Sequence, residues 1–376
     1  MARVIAVVGA GGKSSYIESL ADGQDGRVCI TTTTHIFALP DRMNVSYVGR
    51  PEGSKLAYPG DEEFRKLCGK YDVVLVEADG SRHRPLKIPA EYEPVIPENV
   101  NEIVVVMGLH SLGRPLGEVC HRVALSSELD SDSLVTPEIV DFIAEHYYLT
   151  PLRKKFPATP IKYVRNNLYS SLSAQRGKSI ALVLMASGSS RRFCSDKLRA
   201  ILHGRELYRY GLEALREAVR LLASDGISAK VFMTVRTPEG LNHEGVSLLV
   251  NASHSEGIAA SVRLGTEAAI RGGFDGVLFL AGDMPKFPGR DVAGLVREFL
   301  CSGKDFGCAY SDYPSNPAVF SSRVFPELLT LSGDKGALRL IKRNPQRAHY
   351  YAVSPEKLRD IDTLEDLERI NICREH

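Results

Sequence analysis

Two groups of residues in this sequence have the types and spacing needed to handle phosphate. In the second half, Arg192 and Lys197 come shortly after a run of small residues at 186–190. Small residues let a backbone approach a phosphate closely, and the two cations can neutralise its charge. Asp283 follows an apolar run at 276–280, where a carboxylate can hold Mg²⁺ against phosphate oxygens. A simple turn is the alternative for either segment taken alone.

The second group lies near the start of the chain, where residues 8–15 read VGAGGKSS. The segment ends like a Walker A phosphate loop, but the full pattern requires glycine where this chain has Val7, so it is a shortened variant. Its backbone N–H groups can cradle phosphates, with Lys13 reaching further out and Ser14 directed toward Mg²⁺. The predicted nucleotide-binding residues are Gly9, Gly11, Gly12, Lys13 and Ser14.

Acidic, basic and hydroxyl side chains accompany this loop. The apolar run at 73–76 ends in Glu77 and Asp79, like a Walker B carboxylate site, and Asp79 is the predicted metal ligand. Residues 82–87, RHRPLK, predict either an anion-binding loop or a solvated basic surface. The run TTTTH at 31–35 suits a nucleotide or metal shell, although threonine also favours strands.

These residues must be positioned by strands and helices, and the pattern predicts an α/β fold. Apolar runs rich in Val, Ile and Leu occur at 4–8, 28–30, 73–76, 103–107, 180–185, 230–235, 247–250 and 276–280. Such near-continuous runs are typical of strands covered on both faces in parallel sheets, which bind ligands at the carboxyl ends of their strands. Residues 206–222 have the apolar spacing of an amphipathic helix.

Length and composition predict two soluble domains. The 376 residues suit two domains, and the stretch rich in Ser and Asn near residues 166–177 has a linker composition. We predict a domain at 1–168, a linker at 169–177 and a domain at 178–376. The net charge of +1 argues against nucleic-acid binding, and no apolar run reaches the roughly 18 residues of a membrane span. Seven scattered cysteines and an N-terminus without a signal peptide predict a cytoplasmic protein.

The second half resembles the MobA-like nucleotidyltransferases, and more closely their molybdenum cofactor cytidylyltransferase branch. The family's opening pattern, LAAGxSxRxGxxK, is matched at Ala186, Gly188, Ser190, Arg192 and Lys197. Other motifs follow in family order: Asn251 with SEG at 255–257 and Ser261, GDMP at 282–285, NPAVF at 316–320, GDKGA at 333–337 and DIDT at 360–363. The chain departs from the pattern at Cys194, where the family has glycine, and at Ser187.

This resemblance implies a Rossmann-like domain with a mostly parallel sheet that transfers CMP from CTP to molybdopterin and releases pyrophosphate. Arg192, Lys197 and Asp283 are the implied catalytic residues, with Asp283 as a ligand of Mg²⁺. Asp360 or Asp362 is expected to complete the metal shell, with Asp362 preferred and a capping or turn role as the alternative for each. A preference for CTP over GTP rests on the family likeness alone.

Two other functions remain open for the second half. One is a sugar-phosphate or polyol-phosphate nucleotidyltransferase, which keeps the fold and changes the acceptor. The other is a non-catalytic carrier or chaperone of the molybdenum cofactor, for which Cys194 would mark a degenerate loop. Release of pyrophosphate from CTP and molybdopterin distinguishes an enzyme from a carrier.

The first half resembles the YqeC family of accessory proteins for selenium-dependent molybdenum hydroxylases. The likeness rests on GAGGKSS, TTTTH and EADGSRHRPLK, in that order, within residues 3–165. It implies a P-loop-like α/β domain that binds or hydrolyses a nucleotide during maturation of these enzymes, with a hydroxylase apoenzyme as partner. Residues 166–169, NNLY, do not match the guanine-reading NKxD motif, so the nucleotide is left unassigned.

Overall fold

The computed structural model describes residues 2–188, 197–239, 241, 243–334, 336–363 and 365–368. The chain divides into two compact units, Met1–Leu168 and Tyr169–His376. Each unit has mixed α/β architecture built on a mostly parallel sheet, which confirms the predicted fold class. Within the described residues, no helix has both the length and the apolar character needed to cross a membrane.

The first unit contains strands β1–β11 and helices α1–α5. The strands are β1 (Arg3–Gly9), β2 (Val28–Thr32), β3 (His35–Ile36), β4 (Val45–Tyr47), β5 (Arg50–Glu52), β6 (Lys55–Ala57), β7 (Val73–Glu77), β8 (Leu86–Lys87), β9 (Glu102–Gly108), β10 (Cys120–His121) and β11 (Ile161–Asn166). The helices are α1 (Lys13–Asp22), α2 (Asp61–Lys70), α3 (Leu116–Val119), α4 (Pro137–Ala144) and α5 (Thr150–Lys155).

The main sheet of this unit has the strand order β11-β9-β1-β7-β2-β4, and every neighbouring pair is parallel. Alternate residues of β1 enter the apolar clusters on opposite faces: Val4 and Ala6 join one, Ile5 and Val7 the other. Burial on both faces explains why the predicted apolar runs are continuous rather than alternating. The four runs predicted in this half all lie within strands.

The second unit contains strands β12–β20 and helices α6–α10. The strands are β12 (Ser179–Met185), β13 (Ile201–Leu202), β14 (Arg205–Glu206), β15 (Ser228–Val235), β16 (Val246–Val250), β17 (Gly276–Ala281), β18 (Phe306–Tyr310), β19 (Pro314–Ser321) and β20 (Ala348–Ala352). The helices are α6 (Tyr208–Ser224), α7 (Ile258–Arg271), α8 (Gly289–Ser302), α9 (Phe325–Leu329) and α10 (Leu338–Arg343).

The main sheet of the second unit has the order β16-β15-β12-β17-β19-β18-β20. The first four strands are parallel, whereas β19 runs antiparallel to both of its neighbours. Strand β12 again sends alternate side chains to opposite faces, with Leu182 in one apolar cluster and Val183 in the other. The carboxyl ends of β12, β15 and β17 therefore meet at one edge, which carries the predicted site.

The segment between the two sheets is ordered locally as a 3₁₀ helix, Leu168–Gln175. In the second unit, the Tyr169 hydroxyl donates to a carboxylate oxygen of Glu298 at 3.2 Å, and Leu172 packs against the apolar cluster of α6 and α8. We therefore propose that the second domain, as an independent folding unit, begins at residue 169 rather than at 178.

A fragment of residues 169–376 is expected to be more stable than one of residues 178–376. The shorter fragment loses the Tyr169 hydrogen bond and the Leu172 packing, together worth about 1–3 kcal/mol. In a domain of this size, each kcal/mol shifts the Tm by about 2–4 °C. Thermal melts followed by circular dichroism provide the comparison, and equal Tm values for the two fragments would count against this boundary.

Candidate functional site

The glycine loop of the first unit connects β1 to α1, and its backbone requires glycine. Gly9 and Gly11 have φ of 90° and 81°, and a Cβ on either would lie within 2.4 Å of a neighbouring backbone atom. Helix α1 begins at Lys13, so its first free N–H groups face the loop. The buried Lys13 side chain turns back over the loop, where Nζ donates to the Gly9 carbonyl at 2.8 Å.

Glu77, at the end of β7, lies directly beside this loop. Its carboxylate accepts a hydrogen bond from the Ser14 hydroxyl at 2.8 Å. Burial raises the pKa of Glu77, and the opposing charge of Lys13 and the Ser14 hydrogen bond offset only part of that effect. A hydroxyl and a carboxylate in contact next to the glycine loop are oxygen donors of the kind that Mg²⁺ takes.

Asp79 lies two residues further on and has a different set of partners. Its buried carboxylate is ion-paired with Lys87, accepts from the Tyr148 hydroxyl at 2.8 Å and accepts from the Gly9 N–H at 3.3 Å. Asp79 thus links the glycine loop to the buried polar groups behind it, and its predicted role as a metal ligand stays a prediction. Glu77, rather than Asp79, contacts Ser14.

Several partners of the loop were not identified as site residues from the sequence. Asn166, at the end of β11, donates from Nδ2 to the Gly11 carbonyl at 2.7 Å. Lys87 and Tyr148 surround Asp79, as described above. Strand β11 was not predicted from the sequence, because its residues are partly buried or exposed and form no continuous apolar run, so nothing marked Asn166 as a strand-end residue. The contacts themselves join residues far apart in the chain.

The threonine run at 31–35 divides between two environments. The Thr32 hydroxyl donates to the Glu77 backbone carbonyl at 2.8 Å, which connects the end of β2 to the end of β7. His35 is exposed and lies 3.2 Å from a carboxylate oxygen of Glu52, away from the glycine loop. Within this run, Thr32 therefore has a structural role, because its hydrogen bond holds the ends of β2 and β7 together.

In the second unit, the loop after β12 is held by a buried polar network. The Ala186 N–H donates to the Thr234 carbonyl at 3.1 Å, and the Ser187 hydroxyl lies 2.7 Å from that of Ser261. Asn251 donates from Nδ2 to both serine hydroxyls, at 3.0 and 3.1 Å. Ser187, a departure from the family pattern, thus supplies a hydroxyl to the network that joins this loop to α7.

The rest of the predicted loop is only partly described. Gly188 is exposed, and a Cβ built on it would meet no atom within 4 Å among the residues that the structure describes. Ser190, Arg192 and Cys194 lie outside the described residues. Arg236, not identified from the sequence, follows β15 and donates from Nε to the Ser187 carbonyl at 3.4 Å. It brings a cation to the loop from the neighbouring strand.

Lys197 joins the two predicted metal-binding carboxylates of the second unit. Its Nζ donates to Asp283 at 2.8 Å and to Asp362 at 2.7 Å. Burial acts to lower the pKa of Lys197, but the two carboxylates outweigh it and the pKa is raised. The structure therefore brings Lys197, Asp283 and Asp362 together, although they are separated by up to 165 residues.

Asp360 lies two residues before Asp362 and is influenced electrostatically by the carboxylates of Asp362 and Asp283. Its pKa is raised, first by burial and then by the charges of Asp362 and Asp283. The Ile361 N–H donates to the Asp283 carbonyl at 3.0 Å, which fixes the segment beside β17. Thr363 and Asp366 make the local turn hydrogen bonds, so the Asp362 side chain is directed to Lys197 instead.

Both units thus have the arrangement of nucleotide-binding α/β proteins, in which a loop containing glycine follows a central parallel strand and charged groups gather at the strand ends. Residues 182–349 match the family described as the MobA-like NTP transferase domain, and residues 5–57 and 40–124 match the family described as YqeC protein. The chain therefore contains a YqeC domain followed by a MobA-like nucleotidyltransferase domain.

The chain is also similar to individual proteins over part of its length. The uncharacterised protein YqeC of Escherichia coli is 37% identical over a match that covers 32% of this chain and 57% of that protein. This chain thus spans little more than half of that relative's length. Among solved structures, Rv0371c of Mycobacterium tuberculosis is 21% identical, with a TM-score of 0.43 and coverage of 52% of this chain and 99% of that one. Molybdopterin-guanine dinucleotide biosynthesis protein A of Archaeoglobus fulgidus is 19% identical, with a TM-score of 0.37 and coverage of 52% and 100%.

Glu77→Gln is expected to leave the fold as stable as before, or more stable, while weakening binding of a Mg²⁺-nucleotide. The amide keeps an acceptor for Ser14 but removes a buried charge. Folding raises the pKa of Glu77, so the ionised carboxylate lowers the stability of the wild-type protein at high pH. This destabilisation disappears as the pH falls through the folded-state pKa and Glu77 becomes protonated. The Tm advantage of the variant should therefore shrink on acidification. A clear loss of Tm at neutral pH, with unchanged nucleotide affinity, would contradict this role.

Lys197→Met is expected to lower stability in metal-free buffer and to increase the stabilisation gained from Mg²⁺. The substitution removes the cation between Asp283 and Asp362, at a cost of about 1–3 kcal/mol. A divalent cation can replace the lost charge, so the shift in Tm on adding Mg²⁺ should exceed that of the wild type. Equal Mg²⁺ shifts in both proteins would argue that the carboxylates do not bind the metal.

Proposed function

We propose that this chain is a bifunctional maturation factor for molybdenum hydroxylases. Its second domain transfers a nucleotidyl group, CMP from CTP, to molybdopterin and releases pyrophosphate. The observation that carries the proposal is the convergence of Lys197, Asp283 and Asp362 at the carboxyl edge of the sheet, next to the loop after β12. The same segment matches the MobA-like NTP transferase family.

The carboxylates of this cluster fit a magnesium ion. Oxygens of Asp283 and Asp362 already converge on one cation, since both lie within 2.8 Å of Lys197 Nζ. Two carboxylates face one ammonium group here, so the charge of Lys197 balances only one of them. Hard carboxylate oxygens are the donors that Mg²⁺ takes, with water and phosphate completing its shell. Asp283 and Asp362 would hold the ion, which supplies charge neutralisation to the triphosphate when bound.

The protein's own residues would act through charge and position. Lys197, released from the carboxylates, would contact the triphosphate, and Arg192 is proposed as a second cation from the loop. The phosphate of molybdopterin forms the new P–O bond at the α-phosphorus of the nucleotide, and the bond to pyrophosphate breaks. An ionised phosphate carries no proton to remove, so no general base is needed. Such reactions depend mainly on positioning and electrostatic stabilisation.

The choice of CTP and molybdopterin rests on the sequence motifs at 251–261, 316–320 and 333–337. These follow the order of the molybdenum cofactor cytidylyltransferase branch, which favours molybdopterin over a sugar phosphate as acceptor. The carrier alternative predicts binding of the cofactor without release of pyrophosphate. A pyrophosphate assay separates these two functions.

The first domain is proposed to bind or hydrolyse a nucleotide at the loop of Gly9, Gly11 and Gly12. Lys13 and Ser14 would contact its phosphates, and Ser14 with Glu77 offers oxygen donors for Mg²⁺. The step would serve maturation of a selenium-dependent hydroxylase, whose apoenzyme is the proposed partner. The YqeC match supports this assignment.

Asp283→Asn is expected to lower nucleotidyl transfer by about 10²–10³-fold, which is typical for loss of one electrostatic contact in a preorganised site. Folding should change little, because Asp283 is half-exposed at the strand edge and the amide keeps its shape. The measurement is pyrophosphate release with CTP, Mg²⁺ and molybdopterin, together with a thermal melt. Asp312→Asn, which changes an exposed carboxylate of the same domain, is the control. Wild-type turnover in a folded Asp283→Asn protein would overturn the proposed site.

A further inference from the structure

The basic loop of the first unit, residues 82–87, lies against the glycine loop. The Pro85 carbonyl accepts from the Gly108 N–H at 3.1 Å, and it lies 2.6 Å from where a Cβ on Gly11 would be. On its other side, Lys87 pairs in register with His121 through β8 and β10. The basic loop therefore connects the phosphate loop to the 120–122 segment.

In these two segments, three residues have a left-handed backbone conformation that residues other than glycine rarely adopt. Arg82, His83 and Arg122 have positive φ values of 47°, 61° and 63°. Glycine at these positions would carry no penalty, yet the chain places cations and an imidazole there. Strained backbone of this kind gathers at ligand-binding and active sites, where side-chain direction matters more than local stability.

The charges of this region do not balance within the described residues. Lys87 is paired with Asp79 and Glu93, and Glu93 also pairs with Arg122. Arg82 and Arg84 have no carboxylate partner within 4.0 Å among the residues that the structure describes; Arg84 donates only to backbone carbonyls, at 3.1 and 2.9 Å. Two guanidinium charges of the basic loop are therefore left over among the described residues.

His121 lies among these cations and is half-buried. Burial lowers the pKa of His121 to about 4, and the charges of Arg122, Lys87, Arg82 and Arg84 contribute in the same direction. The ring is therefore neutral near pH 7, and it can donate one hydrogen bond and accept another.

We propose that the basic loop, together with His121 and Arg122, forms a second anion subsite that takes a phosphate or carboxylate group of an acceptor molecule, next to the nucleotide of the first domain. Arg82 is the main cation of the subsite, since it is exposed and lacks a carboxylate partner among the described residues. This inference rests on the proposed nucleotide binding at the glycine loop. It assigns the first domain an anionic acceptor in addition to its nucleotide.

The test measures inorganic phosphate binding to the full chain by calorimetry, in Lys13→Ala and Lys13→Ala/Arg82→Asn proteins. Lys13→Ala removes the proposed nucleotide phosphate contact, so that the glycine loop does not compete for the probe. Asparagine tolerates positive φ, so Arg82→Asn should keep or raise the Tm. We expect it to weaken phosphate binding about tenfold or more, as for loss of a charge-assisted hydrogen bond. Arg65→Gln, which changes an exposed arginine on α2, should leave affinity unchanged.

The outcomes separate this subsite from the proposed nucleotide site. Unchanged phosphate affinity in a folded Lys13→Ala/Arg82→Asn protein overturns the subsite. The subsite is also overturned if Lys13→Ala abolishes phosphate binding and Arg82→Asn, made in the otherwise wild-type chain, has no effect. That pair of results would leave the proposed nucleotide site intact. If wild-type protein binds no nucleotide but binds phosphate through Arg82, the subsite stands and the nucleotide proposal for the first domain fails.

Discussion

A charge buried near the end of a sheet strand needs an opposite charge or a hydrogen-bonding partner beside it, and both domains of this protein depend on that constraint. Isolated ions in a low-dielectric interior are costly, whereas paired and hydrogen-bonded ions persist. In the first domain, Asp79 is held by Lys87 and Tyr148. In the second, Lys197 is held between Asp283 and Asp362.

This constraint has a functional consequence, because the same charges that stabilise the protein can be redirected to a ligand. In the proposed site, a triphosphate with Mg²⁺ would bring both an anion for Lys197 and a cation for the two carboxylates. Binding can therefore exchange internal pairs for ligand pairs without leaving a charge uncompensated. In the first domain, Lys13 contacts the loop carbonyl of Gly9 and can be redirected to a phosphate in the same way.

The sequence predicts eight strands of the two main sheets, because strands buried within a sheet are continuous apolar runs that need no tertiary information to detect. It did not predict β4, β11, β18, β19 or β20. Residues 4–8 and 180–185 lie within β1 and β12, and the amphipathic pattern at 206–222 is α6 with ends shifted by two residues. Strand-end residues such as Asp283 are also predictable, since open α/β sheets bind ligands at that edge.

The partners of those residues are harder to predict from the pattern. Asn166 and Gly11 are 155 residues apart, and their contact depends on the position of β11 at the edge of the sheet. Glu77 and Asp79 both follow the same buried strand, so spacing alone did not indicate which of them meets Ser14. The approach of Asp362 to Lys197 was expected only through the family likeness, because a local turn explains the DIDT segment equally well.

A labelling experiment can show whether the second domain is, as proposed, an enzyme acting on molybdopterin. The full-length protein is incubated with Mg²⁺, molybdopterin and CTP or GTP labelled at the α-phosphate, and the product and pyrophosphate are quantified together. The account predicts label joined to molybdopterin, one pyrophosphate released for each label transferred, and faster transfer from CTP. A folded protein that binds molybdopterin but releases no pyrophosphate with either nucleotide would contradict the account and favour a carrier.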